Sequence, residues 1–243
     1  MQQDRIYIEA GITRDQPLTL PEPQSHRLAR VLRARIGQVI QLFNGTGGYF
    51  HAEIVAVNKR SVAVIPRAYV PDGPAAAFRI HLAQGISRGR HMDYTIQKAV
   101  ELGVTRLIPL ITEHSNVQLP ADRADVKLAH WRGIVIGACE QCGVNVPPEI
   151  VSPVAYDDWI AATASTPRII LDPAASATLT SLALRPVELT LISGPEGGFS
   201  EREIAAAVEH HCLPVKIGPR ILRTETAAIA AISACQVLWG DLG

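Results

Sequence analysis

The stretch 187-VELTLISGPEGGFSEREI-204 decides how this chain is read. Val187 to Ser193 is an apolar, β-branched run of strand length. Ser200 and Glu203 form an S-x-x-E capping box, in which each side chain satisfies the other's backbone amide at a helix start. Between them lie Gly194, Pro195, Glu196, Gly197 and Gly198, a loop with little side chain to cover its backbone. The order is therefore strand, glycine loop, helix. In open α/β sheets, ligands bind in the crevice beyond the carboxyl ends of the strands. Glycines there permit unusual dihedrals and close approach of another group. Either the turn is simply tight, or a ligand lies against it.

A second loop repeats the pattern. The strand PVKI (214–217) is broken by Gly218-Pro219, and ILRTETA (221–227) opens the next helix. Ile221 and Leu222 form an apolar pair between Arg220 and Arg223, on a loop where polar residues are the rule. Such a pair beside free amides suits a flat heteroaromatic ring; the other reading is that it plugs the core. No Gly-Lys-Ser/Thr follows the glycines and the G-x-G-x-x-G spacing is absent, so neither phosphate-binding pattern applies. The first loop contributes a carboxylate, Glu196, rather than a lysine. A ligand with little net negative charge fits better than a triphosphate.

Working outward, residues 78–243 alternate between strands and helices. FRIHLAQGI (78–86), VTRLIPLIT (104–112) and RIILD (168–172) read as strands, with helices at 91–103, 124–143, 200–211 and 224–239. Such alternation predicts a mostly parallel sheet covered on both faces. The first seventy residues have another texture. RIYI (5–8), QVIQLFNG (38–45), YFHAEIVAVN (49–58) and SVAVIPRAYV (61–70) are short β runs broken by turn signals, as in a small barrel or sandwich. One helix is predicted within them, over 23–35. It sets His26, Arg27, Arg30, Arg33 and Arg35 beside Leu28, Val31 and Leu32, either as a solvated basic side or as a phosphate-contacting face. YVPDGPAAA (69–77) reads as a linker, so the domains expected are 1–72 and 73–243.

Composition narrows the classes. Twenty-three basic and 23 acidic residues leave no net charge, so polyanion binding requires a local basic face. The longest apolar stretch, Thr226 to Trp239, is shorter than the roughly 18–20 residues of a membrane span. The N-terminus MQQDRIYIEA lacks a signal-peptide layout, and a cytoplasmic location is expected. Cys139 and Cys142 form a C-x-x-C without a second pair. In a helix they sit one turn apart as small apolar residues, and no metal is expected.

The two loops, GPEGGFSEREI and IGPRILRTETA, closely resemble the paired signature of the RsmE family. These are the small-subunit (16S) ribosomal RNA uridine-N3 methyltransferases of the SPOUT superfamily. The resemblance extends along the chain. SHRLARVLRARIGQVIQLFNGTGGYFHAEI looks like the family's N-terminal PUA-like barrel, IQKAVELGVTRLIPL like its first α/β segment, and ACEQCG like the helix that follows. It implies an α/β fold: a PUA-like RNA-binding β-barrel followed by a SPOUT domain with a C-terminal trefoil knot, one of the rare exceptions to unthreaded chains. It further implies a homodimer that binds S-adenosylmethionine in the knot, and small-subunit ribosomal RNA as substrate.

Carried over residue by residue, the resemblance places Gly194, Glu196 and Gly197 along the cofactor. Ile217, Gly218, Ile221, Leu222, Arg223 and Thr226 fall around its adenosine, with Leu171 in a third loop. Arg223 is the candidate for stabilising a uridine anion, or else it pins the loop. Glu196 is the candidate proton acceptor, or else it holds the cofactor's ammonium or a loop amide. No side chain marks itself as the general base. His26, Arg30, Arg33, Arg88, Arg90 and Lys98 are the RNA-binding candidates, Arg88 and Arg90 within the basic turn SRGRH. Three family cations are missing, at His114, Val144 and Val146. Two other readings stay open: a SPOUT enzyme for another base or ribose, and a non-catalytic assembly factor.

Overall fold

The computed structural model describes residues 3–74, 76–115 and 121–243, with backbone alone at 121–123. Ala75, inside the expected linker, is outside the described residues. The chain forms two compact units: Met1–Ala75 together with Cys139–Pro147, and Ala76–Ala138 together with Pro148–Gly243.

The first unit is a five-stranded sheet of β1 (Arg5–Tyr7), β2 (Leu18–Thr19), β3 (Val39–Phe43), β4 (Tyr49–Val57) and β5 (Val62–Val70) in the order β1-β3-β4-β5-β2. Two register shifts in the β4–β5 ladder, at His51/Ala52 and Ile54/Ala56, curl it as bulges do. Alternate residues point inward, so Ile6, Ile8, Ile40, Leu42, Ile54, Val62 and Val64 make one buried cluster. The predicted helix over 23–35 is shorter. A single turn, α1 (Glu22–His26), runs into a π-helical turn (Arg27–Val31), and Arg33 takes φ 52, which ends it. Leu28 still reaches the core, while His26, Arg30 and Arg33 are exposed.

Residues 139–147 complete this unit by polar contacts. Arg5 donates to Gln41 Oε1 (2.6 Å) and Asn145 Oδ1 (2.6 Å), with its guanidinium 4.8 Å from the centre of the Phe43 ring. Asn145 donates in turn to Asp72. The buried Glu140 accepts the Tyr7 amide (3.0 Å) and pairs with Arg27. Cys139 is fully buried, and burial pushes its thiol up to about 12, a poor metal ligand or nucleophile at neutral pH. Val146 is exposed and Val144 half-buried, while Asn145 between them is buried and held by side-chain hydrogen bonds.

The second unit is parallel throughout its sheet. Its strands are β6 (Arg79–Gly85), β7 (Val104–Ile111), β8 (Glu149–Ile150), β9 (Val154–Ala155), β10 (Arg168–Leu171), β11 (Glu188–Ser193) and β12 (Leu213–Val215). The order is β12-β10-β11-β6-β7-β8, with β9 also on β7. The helices are α2 (Arg90–Glu101), α3 (Ala121–Cys142, its end from Cys139 belonging to the first unit), α4 (Tyr156–Ala161), α5 (Glu201–Glu209) and α6 (Thr224–Trp239). One sheet face meets α4 and α5 through Ala83, Ile108, Ile170, Ile192, Tyr156, Ile160 and Ala207. The other meets α6, which packs on β11 and α2. Burying an isoleucine such as Ile192 contributes about 1.5–3 kcal/mol, which is why both sheet faces read as nearly continuous apolar runs. No helix is long and apolar enough to cross a membrane among the described residues.

Candidate functional site: one cavity at the strand ends

Because β12, β10 and β11 are adjacent and parallel, their carboxyl ends share one edge of the sheet. The three loops leaving them must meet there. They enclose a cavity of about 600 Å³. Leu171, Asp172 and Pro173 come from the loop after β10, Gly194 to Phe199 from the loop after β11, and Ile217, Gly218 and Arg220 to Arg223 from the loop after β12. Nine of the ten residues expected around a cofactor line it: Leu171, Gly194, Glu196, Gly197, Ile217, Gly218, Ile221, Leu222 and Arg223.

Thr226 is the exception. It is exposed and lies off the lining, because two residues along a helix turn a side chain about 200° from Thr224. Thr224 takes the inward place. Its hydroxyl donates to Gly194 O (2.5 Å) and accepts from Gln84 Nε2 (3.1 Å). Gln84, nearly fully buried on β6, also donates to Gly194 O (3.0 Å). The glycine loop, β6 and the start of α6 are thus tied at one point.

The glycines do what their positions require. Gly198 (φ 68) and Gly218 (φ 73) sit in the left-handed region, where a side chain is strained. A Cβ on Gly197 would stand 2.8 Å from that of His114, whose ring Nδ1 is 3.1 Å from Gly197 O. The backbone amides of Gly218, Ile221 and Leu222 donate to no protein acceptor among the described residues. Ile221 is 88 % exposed, so it is not a core plug.

The helix after the first loop starts at the expected capping box, with Glu203 N donating to Ser200 Oγ (3.2 Å) and Ser200 N to Glu203 Oε2 (2.9 Å). Glu203 is fully buried and its second oxygen accepts the Glu113 amide (2.9 Å), joining this loop to the one after β7. Glu113 itself accepts from Ser200 Oγ (2.9 Å) and pairs with Arg202. These hydrogen bonds hold its carboxyl below the usual range.

Glu196 lines the cavity, and its Oε1 accepts the Arg88 amide (2.8 Å) just ahead of α2. Of the readings open to it, holding a loop amide is present in the geometry. Arg223 is exposed at the rim, as the residue before α6. Arg88 and Arg90 are exposed at the start of α2. Lys98, by contrast, is tied to Glu101 (2.7 and 2.9 Å). Its charge is already paired. Sequence reading missed His91 and Glu225, which both line the cavity with His91 Nδ1 3.2 Å from Glu225 Oε2. Only the folded chain brings them together; no spacing rule joins residues so far apart in sequence.

Comparison with known proteins agrees with this architecture. Residues 74–236 match the RNA methyltransferase domain family and residues 20–67 the RNA methyltransferase PUA domain family. The chain is similar to ribosomal RNA small subunit methyltransferase E of Buchnera aphidicola (subspecies Schizaphis graminum), at 38% identity over 98% of this chain and 97% of the relative. The Bacillus subtilis protein of the same name is 26% identical over 89% of this chain and 90% of its own. Among solved structures, that of ribosomal RNA small subunit methyltransferase E from Neisseria gonorrhoeae, bound to S-adenosyl methionine, superposes with TM-score 0.92 at 35% identity, covering 100% of both chains. A methyltransferase from Legionella pneumophila in complex with the cofactor SAM gives TM-score 0.95 at 40% identity, again over 100% of both. On the strength of both domain matches and of relatives aligned over nearly its whole length, the chain belongs to the ribosomal RNA small subunit methyltransferase E family.

Proposed function

We propose that this protein transfers a methyl group from S-adenosylmethionine to N3 of a uridine in the 16S RNA of the small ribosomal subunit. The carrying observation is the single cavity walled by three adjacent strand ends, with Gly194, Gly218, Ile221 and Leu222 on its walls. The cavity fits the cofactor. Its volume is within the usual range for small-molecule sites, roughly 300–1,000 Å³. Beside Arg220 and Arg223 it is lined by Asp172, Glu196 and Glu225, three carboxylates opposite in sign to a sulfonium and an ammonium. Ile221, Leu222 and the free amides beside them suit the adenine face and edge. Leu171, Ile217 and Gly197 complete the walls.

When bound, the cofactor supplies an electrophilic methyl group on sulfur. The residues of this chain orient and charge the site around it. Arg223, a guanidinium cation at the rim, stabilises the anion that develops on a uridine. Glu196 fixes the α2 start through the Arg88 amide and presents its carboxylate to the cavity. The trefoil knot belongs to this reading. After β12 the chain returns past the ends of β10 and β11 to begin α6 against Gly194, and such a return is what a knotted loop needs.

RNA contact is assigned to His26, Arg30 and Arg33 on the first unit and to Arg88 and Arg90 on the second, all exposed. Lys98 contributes less, being paired with Glu101. The protein is read as a cytoplasmic homodimer acting on the assembled subunit. The exposed Val237, Leu238 and Leu242 at the C-terminus support a second copy there. Incubation with labelled S-adenosylmethionine and unmodified small subunits, followed by digestion and nucleoside mass spectrometry, tests the proposal. N3-methyluridine is the expected product. A ribose-methylated nucleoside, or no transfer, would overturn it.

A further inference from the structure

We infer that His91 is the general base of the reaction and that Glu225 is its positioning residue. The inference rests on the uridine-N3 reading above. At neutral pH the N3 of uridine carries a proton, so the nitrogen has no lone pair to give until that proton leaves. The cavity holds a side chain suited to take it. His91 is the second residue of α2 and lines the cavity with its side chain 43% exposed. Glu225, in the first turn of α6, is 15% exposed and has Oε2 3.2 Å from His91 Nδ1. That oxygen is buried and has no hydrogen-bond partner among the described residues, which leaves it an open acceptor beside the ring.

In the tautomer that carries its proton on Nδ1, beside Glu225, the free lone pair resides on Nε2, and the imidazolium formed on proton uptake is stabilised by the same carboxylate. The other charged groups lining the cavity are Asp172 after β10, Glu196 after β11, and Arg220 and Arg223 after β12; Arg88 and Arg90 flank His91 in its own segment. Asp172 Oδ1 accepts the Ala174 amide (2.9 Å) and Glu196 Oε1 the Arg88 amide, so each carboxylate has a structural task. His91 does not.

The step balances. The N3–H proton passes to His91 Nε2, the freed N3 pair forms the bond to the methyl carbon, and the carbon–sulfur bond breaks with its pair remaining on sulfur. The sulfonium becomes a neutral thioether, and His91 later releases its proton to water. Arg223, which lines the same cavity, lowers the cost of the transient uridine anion.

The test uses the full-length protein with small subunits and S-adenosylmethionine. His91→Gln and His91→Asn are expected to lower kcat about 10²–10⁴-fold, the usual share of a general base. Cofactor affinity by calorimetry should stay within threefold, as should KM for the subunit. The acid limb of the pH–kcat profile should vanish, and His91→Gly should regain rate with added imidazole. Nitrogen-15 NMR of the cofactor-free protein should show His91 protonated at Nδ1, shifting toward a tautomer mixture in Glu225→Gln. Wild-type protein that makes N3-methyluridine while His91→Gln keeps kcat within threefold would overturn the inference and leave the function standing. Retention of the acid limb, or no imidazole rescue, would overturn it likewise. Wild-type protein that neither binds the cofactor nor methylates uridine would instead overturn the function on which it rests.

Discussion

Gln84 and Thr224, on β6 and at the first position of α6, hydrogen-bond each other and both donate to the carbonyl of Gly194. Three elements far apart in sequence therefore hold the glycine loop at one height. Thr224→Val keeps the shape and removes the hydroxyl. A buried hydrogen bond of this kind contributes about 1–2 kcal/mol, so cofactor affinity by calorimetry is expected to fall about tenfold. Thr224→Ser retains the donor and should bind within threefold of wild type.

Glu203 is the buried joint between the loop after β7 and the start of α5. Glu203→Ala would strand the amides of Glu113 and Ser200 and delete a cap. The expected loss is about 2–4 kcal/mol, read as a lower midpoint in urea unfolding with unchanged slope. An unchanged midpoint would show that water replaces both bonds.

Glu113 supplies a pH dependence. Its folded-state carboxyl lies below its ordinary 4.5, through hydrogen bonds from Ser200 and Arg202. A depressed carboxyl stabilises the fold above its unfolded value, and that contribution disappears as pH falls through the folded value. Glu113→Gln should thus melt below wild type at pH 7, with the gap closing as the pH is taken down through the range just under 4.5. A gap that widens in acid would have the wrong sign.

Arg88→Ala with Arg90→Ala removes two exposed cations from the start of α2. If both meet RNA phosphates, the slope of log affinity against log salt should shrink by about 1.4, at roughly 0.7 per single-strand contact. Filter binding to small-subunit RNA at several salt concentrations measures it. Lys98→Ala, by comparison, should leave the slope nearly unchanged.

Thiol reactivity follows burial. Cys139 and Cys235 are fully buried with thiols pushed up to about 12, and burial raises Cys212 also. Native protein treated with iodoacetamide at pH 8 is expected to label first at Cys142, which is partly exposed. All four cysteines should label in denaturant.

Much of this is legible in the amino-acid sequence. The strands of the parallel sheet and the α5 capping box are local signals, written within a dozen residues. Both glycine loops could be placed at strand ends for the same reason. What escaped was whatever depends on tertiary closure. The helix over 23–35 has good periodicity, yet Arg33 leaves the helical region and Ala34 N turns back to Leu28 O, closing the helix early. The short β8, β9 and α4 bury too few residues to leave a pattern. The motif points to Thr226 where Thr224 faces inward, since a motif does not state which helix face meets the loop. His91 and Glu225 meet only because α2 and α6 pack side by side on one sheet face.

Residues 139–147 carry a consequence for synthesis. Arg5, Arg27 and Asp72 all await partners from this late stretch. A nascent chain that has emerged only as far as Val70 holds every strand of the curled sheet, but leaves Arg5 without Asn145 and Arg27 without Glu140. The amino-terminal unit therefore completes these polar contacts only once residues 139–147 have emerged, later than α2 and β7.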